Sequence, residues 1–364
     1  MSTDARPIAL WVVPVADLGG VARHVLDVFN LGMKDYRLVL FCPEGLLAER
    51  VRAMGGAVIA ADFGPDFGYV KSLRSLDATI RALKPAIVHS HLAYADFIAA
   101  AVAARYPRVR LVSTEHGIAG DDSVYHGNQF NSFVKAKLHS VRLTRFNALA
   151  AVSEATKTAM EKKWSPRTPI QVIRNGVNRT NSMDPSGKDS TELASPRVLS
   201  LSRLAPEKRL DHLLRSFQII LQKEPNATLT VAGTGPLEAE LKSLAESLGI
   251  KEKVSFPGFV DAQEAIENHD VLVQLSVWEN CSYTLLDALA ADIRVIATPV
   301  GGNPEIVPTE ALVAAEDHHR IADLVVAHSE NPSNGTHLPE SWPTIQEMVS
   351  EIEELYKCNR KDVE

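Results

Sequence analysis

The 364-residue chain is predicted to be an α/β protein with two parallel-sheet domains. Two observations lead to this prediction. Short apolar runs alternate with amphipathic stretches whose apolar residues recur every three to four positions, the pattern of buried strands followed by helices. The alternation stops at an Asn-, Ser-, Thr- and Asp-rich stretch and then resumes. Because a domain usually has about 100–200 residues, an interruption in a chain of this length favours two domains.

Each predicted strand is a short apolar run, and each is followed by a helical pattern such as Val21, Val25, Val28 and Phe29. A strand–helix alternation covers both faces of a sheet, so we expect the strands to be parallel. In the first half of the chain the strands are predicted at 8–13, 38–42, 57–60, 87–89, 111–114, 148–152 and 170–173. In the second half they are predicted at 198–201, 228–231, 254–256, 271–274 and 295–297.

The pattern also predicts the domain boundaries. We expect an N-terminal domain over 1–177, a linker over 178–196 and a C-terminal domain over 197–342. The linker carries almost no apolar residue to bury, which is typical of a connection between domains. A final segment, 343–364, is predicted to be a helix that crosses back to the N-terminal domain. Its helical spacing is that of Ile345, Met348, Ile352 and Leu355.

Composition limits the class of protein. A hydrophobic content of 45%, a charged content of 23% and a mean hydropathy of −0.05 exclude collagenous, disordered and multi-span membrane proteins. The early apolar run Ile8–Ala16 is too short to span a bilayer and lacks the basic flank of a secretory signal. The cysteines Cys42, Cys281 and Cys358 are far apart and predict no disulfide framework. We therefore expect a cytoplasmic protein.

The net charge of −7 is unevenly distributed. Residues 1–177 carry a net charge of +7 and residues 178–364 carry −14. A basic half predicts an anionic partner for the first domain. No feature indicates nucleic acid as that partner.

Gly19 and Gly20 follow the first predicted strand and precede a helix. Glycines at such a turn let a ligand approach the backbone, and a helix N-terminus offers N–H groups to a phosphate. The alternative is a plain tight turn. The full GxGxxG pattern is absent, which disfavours a nicotinamide cofactor.

Three strands of the second half are also followed by residues that could line a ligand. Arg203 and Lys208 follow its first strand, at the edge where open α/β sheets bind ligands. A guanidinium fork and an ammonium point charge together suit a diphosphate, although such a loop can also be merely solvated. Gly233, Gly235 and Gly258 follow the next strands and indicate either ligand-lining turns or simple chain reversals.

The segment Glu279–Asp287 is the most informative motif. One carboxylate, Glu279, precedes a helix that is predicted to begin near Ser282, and the second, Asp287, lies within that helix. Such a frame could hold a sugar hydroxyl, a phosphate and a ribose together. The alternative is a pair of solvent-exposed acids that flank an apolar helix.

As a set, these motifs resemble the GT-B glycosyltransferases of the family-4 type. The resemblance implies two Rossmann-like domains that face a central cleft. It covers nearly the whole chain, in the family's order. Its motifs are Gly19-Gly20, His89-Ser90-His91, Glu115-His116-Gly117, Asn175-Gly176-Val177, Ser202–Lys208, Gly233–Pro236, Glu279–Asp287 and Gly301-Gly302.

The resemblance also implies roles for individual residues. His116 and Glu279 contact the transferred sugar, and Arg203 and Lys208 clasp the donor diphosphate. The donor-binding set lines the diphosphate, offers backbone N–H groups to the phosphate and, through Asp287, contacts the ribose. That set consists of Gly19, Gly20, Gly233, Gly235, Ser282, Tyr283 and Asp287.

The implied activity is that of a retaining glycosyltransferase. It moves a hexose-type sugar from a nucleotide-diphosphate sugar to a sugar, lipid-linked or small-molecule acceptor, which binds mainly to the N-terminal half. The nucleotide-sugar is a substrate and no cofactor is expected; family frequency favours UDP over GDP. No Asp-X-Asp pair and no His/Cys spacing typical of zinc occurs, so we expect no metal. Arg203, Lys208 and helix N-termini then balance the diphosphate charge.

Departures from the family pattern motivate one of two alternatives that stay open. Asp287 stands where the family has Glu, and Asp292 and Arg294 stand where it usually has Gly and Pro. A non-catalytic GT-B partner or scaffold protein is one alternative. A GT-B nucleotide-sugar epimerase, which would need acid/base carboxylates and no acceptor site, is the other.

A basic stretch predicts a contact with membranes. From Ser123 to Ser153 there is no Asp or Glu. A helix over 128–146 would place Lys135, His139 and Arg142 on one face and apolar residues, including Val141, on another. Such a helix can lie on an anionic bilayer, which would make the protein peripheral at the cytoplasmic face. The alternative is a helix that packs on the core and keeps its basic residues solvated.

Overall fold

The computed structural model describes residues 5–118, 139–179, 195–330 and 336–357. The chain forms two compact units, of which one comprises Met1–Gly176 with Pro343–Glu364 and the other Val177–Trp342. Every strand pair in the described parts of both sheets is parallel. The predicted α/β class with two parallel sheets is therefore confirmed.

The N-terminal unit contains a seven-stranded sheet in the order β3-β2-β1-β4-β5-β6-β7. Its strands are β1 (Ile8–Val12), β2 (Arg37–Cys42), β3 (Ala57–Ala60), β4 (Ile87–His91), β5 (Arg110–Glu115), β6 (Ala148–Ala151) and β7 (Ile170–Val172). Its helices are α1 (Gly20–Leu31), α2 (Leu46–Ala53), α3 (Gly68–Leu83), α4 (Ala93–Ala103), α5 (Glu154–Trp164) and the C-terminal α12 (Ile345–Lys357). The strand order reverses between β1 and β4, which makes the carboxyl ends of these strands the expected ligand site.

The C-terminal unit contains a five-stranded sheet in the order β10-β9-β8-β11-β12. Its strands are β8 (Arg197–Leu201), β9 (Thr228–Ala232), β10 (Val254–Gly258), β11 (Val271–Gln274) and β12 (Arg294–Ala297). Its helices are α6 (Leu210–Lys223), α7 (Glu238–Ser247), α8 (Ala262–Glu267), α9 (Tyr283–Ala290), α10 (Asn303–Ile306) and α11 (His318–Glu330). Here the order reverses between β8 and β11.

Each sheet buries both of its faces. In β1 the side chain of Trp11 joins the cluster on one face, while those of Leu10 and Val12 join the cluster on the other. This is the alternation that a strand imposes on successive side chains. The C-terminal sheet divides in the same way, with Val198 in one cluster and Leu199 in the other.

Helix α12 packs in the N-terminal unit. Its buried face, which includes Met348 and Ile352, lies in one cluster with Val25 and Val28 of α1. In the part of the chain that the structure describes, no helix combines the length and the apolar content needed to cross a bilayer.

A buried chain of hydrogen bonds ties α12 to the sheet. Trp11 Nε1 donates to the Tyr356 hydroxyl at 2.8 Å, and this hydroxyl lies 2.7 Å from His89 Nδ1. His89 Nε2 lies 2.8 Å from Thr114 Oγ1. Because the Tyr356 oxygen accepts from Trp11, its own proton is available to His89. One hydroxyl thus satisfies polar atoms of two central strands, β1 and β4.

We expect Tyr356→Phe to destabilise the protein by about 2–4 kcal/mol, because it leaves two buried polar atoms without partners. Tyr36→Phe is the matched control, since the Tyr36 ring contacts the Tyr356 ring and its hydroxyl bonds to no described residue. It should change stability by less than about 0.5 kcal/mol. Urea unfolding of the wild type and both variants makes the comparison. Equal losses in the two variants would show that ring packing, not the hydroxyl, holds α12.

Candidate functional site

Two loops meet at the carboxyl ends of β8 and β11 in the C-terminal unit. Arg203 and Lys208 lie on the loop after β8, and Glu279 lies on the loop after β11. The backbone N–H of Val277 donates to the Glu207 carbonyl at 2.8 Å and joins the loops. The predicted cations and the predicted sugar-binding carboxylate are therefore held at the point where the strand order reverses.

Each predicted cation is paired with a carboxylate. Lys208 Nζ forms an ion pair with Glu279 Oε1, and both side chains are largely buried, at 17% and 13% exposure. The Ser276 hydroxyl also donates to Glu279 Oε1, at 2.8 Å. Arg203 Nη2 lies 2.7 Å from Glu207 Oε1, but its side chain is 70% exposed. Lys208 is thus fixed in place, while Arg203 stands in solvent and is held by a single buried acid.

The N-terminus of α9 adds backbone donors to this site. Ser282 caps the helix, because its hydroxyl accepts from the Leu285 N–H at 3.4 Å. Gln274 Nε2 at the end of β11 donates to the same hydroxyl at 3.0 Å. Ser282 and Tyr283 therefore stand where the sequence predicted them, at the start of a helix, where N–H groups favour anions. Asp287, half-buried, lies further along α9.

Close backbone contacts explain three glycines. A Cβ on Gly233 would lie 1.9 Å from the Ser202 carbonyl oxygen, and one on Gly235 would lie 2.4 Å from that of Leu204. Gly301, at φ +52°, would place a Cβ 1.6 Å from the Glu279 carbonyl oxygen. These glycines let neighbouring loops approach the loops of Arg203 and Glu279. The supporting roles of Gly301, Glu207 and Ser276 were not predicted, although the Gly301-Gly302 turn after β12 was a visible signal.

Gly19 and Gly20 differ from those three. Neither has a positive φ, and a Cβ on either would meet no heavy atom within 4 Å. Gly19 is the N-cap of α1 and Gly20 is its first residue. The described chain therefore requires glycine at neither position.

Histidines converge at the corresponding edge of the N-terminal sheet. His91 ends β4, His116 follows β5, and His24 lies in α1. His91 Nδ1 is 2.9 Å from His116 Nε2, and His24 Nδ1 is 3.3 Å from Asn175 Oδ1. Burial lowers the pKa of His24 to about 4 and holds the pKa values of His91 and His116 well below the usual range. His116 was a predicted site residue; His24 and His91 were not assigned a role.

A buried ion cluster lies directly before His116. Arg142 Nη2 is 3.2 Å from Glu115 Oε2 and 3.5 Å from Asp96 Oδ2, and all three side chains are almost fully buried. Because one guanidinium serves two carboxylates, their burial is only partly compensated. Burial raises the pKa of Glu115 to about 7 and also raises the pKa of Asp96.

This cluster places Arg142 differently from the expectation for a basic helix over 128–146. Arg142, expected on the solvated face, is buried, and Val141, expected on the apolar face, is 59% exposed. The cause is the pair of buried acids, which draws the guanidinium inward. His139 also turns inward and stacks on Trp164. Lys135 and the rest of 119–138 lie outside the described residues.

Asp292 and Arg294, which motivated the scaffold alternative, lie away from the candidate site. Both stand at the amino end of β12, whereas the site occupies the carboxyl ends of the strands. Asp292 adopts φ +56°, a left-handed conformation that Asp tolerates better than most residues. Arg294 is buried, and burial lowers its pKa. These departures therefore concern a turn and a strand start.

The family matches, together with the fold, identify the chain as a glycosyltransferase of the GT-B class. Residues 18–181 match the Glycosyltransferase Family 4 description, and residues 184–359 match Glycosyl transferases group 1. The two matches together span nearly the whole chain. The chain belongs to the family-4 type of group 1 glycosyltransferases, as the sequence motifs predicted.

Solved structures share the fold. Anabaena HepE in complex with UDP and glucose superposes with a TM-score of 0.78 at 20% identity, over 97% of this chain and 100% of that chain. Sucrose-phosphate synthase from Thermosynechococcus elongatus gives a TM-score of 0.75 at 16% identity, over 96% and 98% of the two chains.

Curated relatives include enzymes that are named for lipid acceptors. The Saccharomyces cerevisiae phosphatidylinositol N-acetylglucosaminyltransferase GPI3 subunit is 29% identical over 254 residues, which are 66% of this chain but only 54% of the relative. A phosphatidylinositol N-acetylglucosaminyltransferase subunit of Arabidopsis thaliana is 24% identical over 99% of this chain and 85% of its own length. A GDP-mannose-dependent phosphatidylinositol monomannoside mannosyltransferase of Mycobacterium tuberculosis is 29% identical over 62% of this chain and 64% of its own length.

The raised pKa of Glu115 predicts a pH-dependent stability. The unfolded group titrates near 4.5 and the folded one near 7, so the folded protein binds this proton more tightly. Stability is therefore lost as the pH rises from about 4.5 to about 7. Glu115→Gln, which carries no charge, should be more stable than the wild type by about 1–3 kcal/mol at pH 8 and by far less at pH 5.

Thermal unfolding of both proteins at the two pH values measures this difference. The buried histidines act in the opposite direction, since their lowered pKa values reduce stability as the pH falls. Because they are common to both proteins, their contribution cancels in the comparison. A Glu115→Gln protein that is less stable than the wild type at pH 8 would contradict a buried, poorly compensated carboxylate.

Proposed function

We propose that this glycosyltransferase transfers a hexose-type sugar, with retention, from a nucleotide-diphosphate sugar that binds to the C-terminal unit. The Lys208–Glu279 pair is the observation on which the proposal depends. It holds a cation for the diphosphate and a carboxylate for a sugar hydroxyl in direct contact, on two loops at the switch point of one sheet. Arg203 adds a second cation, the N–H groups of Ser282 and Tyr283 receive a phosphate oxygen, and Asp287 binds the ribose.

The chemistry follows from these assignments. The bond between the sugar C1 and the diphosphate oxygen breaks while a bond from C1 to the acceptor oxygen forms on the same face. The acceptor's proton passes to the leaving diphosphate. Arg203 and Lys208 stabilise the negative charge that develops on this diphosphate. Stabilisation of developing charge by fixed groups of the protein is usually the largest contribution to catalysis. His116 contacts the transferred sugar, and no metal or cofactor takes part.

A UDP-sugar is the favoured donor, and a lipid-linked molecule is the favoured acceptor. Support for UDP comes from family frequency and from HepE, which was solved with UDP and glucose. Support for the acceptor comes from the yeast, plant and mycobacterial relatives, whose names all include phosphatidylinositol. Such an acceptor would bring the enzyme to the cytoplasmic face of a membrane, where Arg145, which is exposed, could contribute to the contact.

A thermal-shift screen of UDP, GDP, ADP and their sugars tests the proposal. A ligand at about 100 times its Kd stabilises a protein by roughly 2.7 kcal/mol. One nucleotide series should raise Tm. Stabilisation by none of them would favour the scaffold alternative. In a separate incubation without an acceptor, conversion of a nucleotide-sugar into its epimer would favour the epimerase.

Lys208→Met should raise the Kd of the identified nucleotide diphosphate about 10- to 150-fold, because it removes a charge-assisted hydrogen bond while it keeps the length of the side chain. Lys242→Met is the matched control. Lys242 pairs with Glu238 on helix α7 of the same unit, where both side chains are exposed, so this substitution should leave the Kd unchanged. Isothermal titration calorimetry gives both values. Unchanged affinity in a folded Lys208→Met protein would remove this residue from the diphosphate site.

The Gly20→Ala substitution tests whether Gly20 is needed for substrate binding or for the stability of helix α1. Helix α1 gains a better helix former at a position where a Cβ meets no atom, so Tm should be unchanged or higher. If substrate approaches this backbone, kcat/KM should fall about tenfold or more, as expected for overpacking. Asn30→Ala, an exposed substitution on the same helix, should leave kcat/KM unchanged. Full activity in Gly20→Ala would mean that the turn does not meet substrate.

A further inference from the structure

Three histidines of the N-terminal unit have the geometry of a metal site. One ring nitrogen from each of His24, His91 and His116 lies within 4.8 Å of the other two. Within the described ranges this is the one group of three or more potential ligands that meets this criterion. The residues come from α1, from the end of β4 and from the end of β5, so three rigid elements position them.

The spacing and the protonation of these rings suit a transition metal ion. His91 Nδ1 and His116 Nε2 are 2.9 Å apart. Two imidazole nitrogens on a tetrahedral zinc ion, at 2.0–2.1 Å each, are about 3.3 Å apart, so little movement is needed. Burial lowers the pKa of all three histidines, and each ring is therefore neutral near pH 7. A neutral imidazole binds a metal without first losing a proton.

The surrounding residues orient the rings. Asn175 Oδ1 faces His24 Nδ1 at 3.3 Å, which favours the proton on Nδ1 and an Nε2 lone pair for the metal. A hydrogen-bond acceptor behind a ligating histidine is the usual arrangement in metal sites. The Trp11 ring stacks on His24 and lies 4.5 Å, between centroids, from the ring of His91. His89 is excluded as a ligand, because Tyr356 and Thr114 occupy both of its nitrogens.

One further observation concerns access to the three rings. His116 is partly exposed, which provides a path of entry and a side from which a fourth ligand can approach. Three histidines with one open position are the ligand set of many zinc sites.

We propose that His24, His91 and His116 bind one divalent transition metal ion of the Zn²⁺ type, with a fourth position open to water or to an anionic oxygen. Binding of the ion does not depend on the proposed function. One consequence does rest on it: a metal on His116 takes the nitrogen that would contact the transferred sugar. Zn²⁺ should therefore inhibit transfer, and EDTA should leave activity intact or raise it.

Cobalt titration of the full chain tests the proposal. Protein treated with EDTA and desalted is titrated with Co²⁺, whose visible absorption is intense in a tetrahedral site. We expect one Co²⁺ per chain, displaced by one Zn²⁺. His24→Gln and His116→Gln should each weaken Co²⁺ binding at least about 100-fold, because each removes a metal ligand. Loss of a residue that only hydrogen-bonds a ligand already lowers metal affinity about 10- to 100-fold.

His212→Gln is the matched control. His212 Nδ1 lies 2.9 Å from His318 Nε2 in the C-terminal unit, so this pair also presents two close histidines but lacks a third ligand among the described residues. The control should bind Co²⁺ like the wild type. Circular dichroism and Tm without metal check that each variant folds, and Asn175→Ala gives a further graded test, with an expected loss of about 10-fold.

The outcomes are decisive in either direction. Tetrahedral Co²⁺ absorption that is lost in His24→Gln and His116→Gln but kept in His212→Gln supports the site. No Co²⁺ binding by the wild type, or binding that the two ligand variants retain, overturns it. The nucleotide thermal-shift screen, run in EDTA, reports on the proposed function separately, so failure of one proposal is distinguishable from failure of the other.

Discussion

The reversal of strand order in each parallel sheet is the constraint on which the other features depend. Strands on the two sides of the reversal send their following loops in opposite directions, which opens a crevice at their carboxyl ends. In the C-terminal unit the reversal lies between β8 and β11, and it brings the loop of Lys208 against the loop of Glu279. In the N-terminal unit it lies between β1 and β4, and it places the Gly19-Gly20 turn and His91 at one edge.

Burial of polar side chains at the carboxyl ends of the strands is unfavourable in both sheets. The two units reduce this penalty in different ways. Lys208 and Glu279 neutralise each other, and Ser276 satisfies a carboxylate oxygen. The histidines of the N-terminal edge lose their charge instead, because burial disfavours the protonated ring. One edge thus carries paired charges, while the other presents neutral nitrogen donors.

Sequence alone predicted the strands, the parallel sheets and the helix that Ser282 caps, because these depend on local periodicity and capping. It also placed Arg203, Lys208 and Glu279 correctly at strand ends. It failed for Arg142, since the acids that bury this residue, Asp96 and Glu115, are distant in sequence and nothing in a helical pattern reveals them. The three-histidine cluster escaped notice for the same reason: its members lack the close spacing of sequence-readable zinc motifs.

The proposed activity is the transfer of a sugar from a nucleotide-sugar with retention of its anomeric configuration. The most direct measurement follows the anomeric proton of the identified nucleotide-sugar by ¹H NMR, with the enzyme and water as the acceptor. A retaining transferase should release the nucleoside diphosphate slowly, and free sugar should first appear in the anomeric configuration of the donor. First appearance of the opposite anomer would contradict retention, and a sugar that stays bound to its nucleotide would contradict transfer itself.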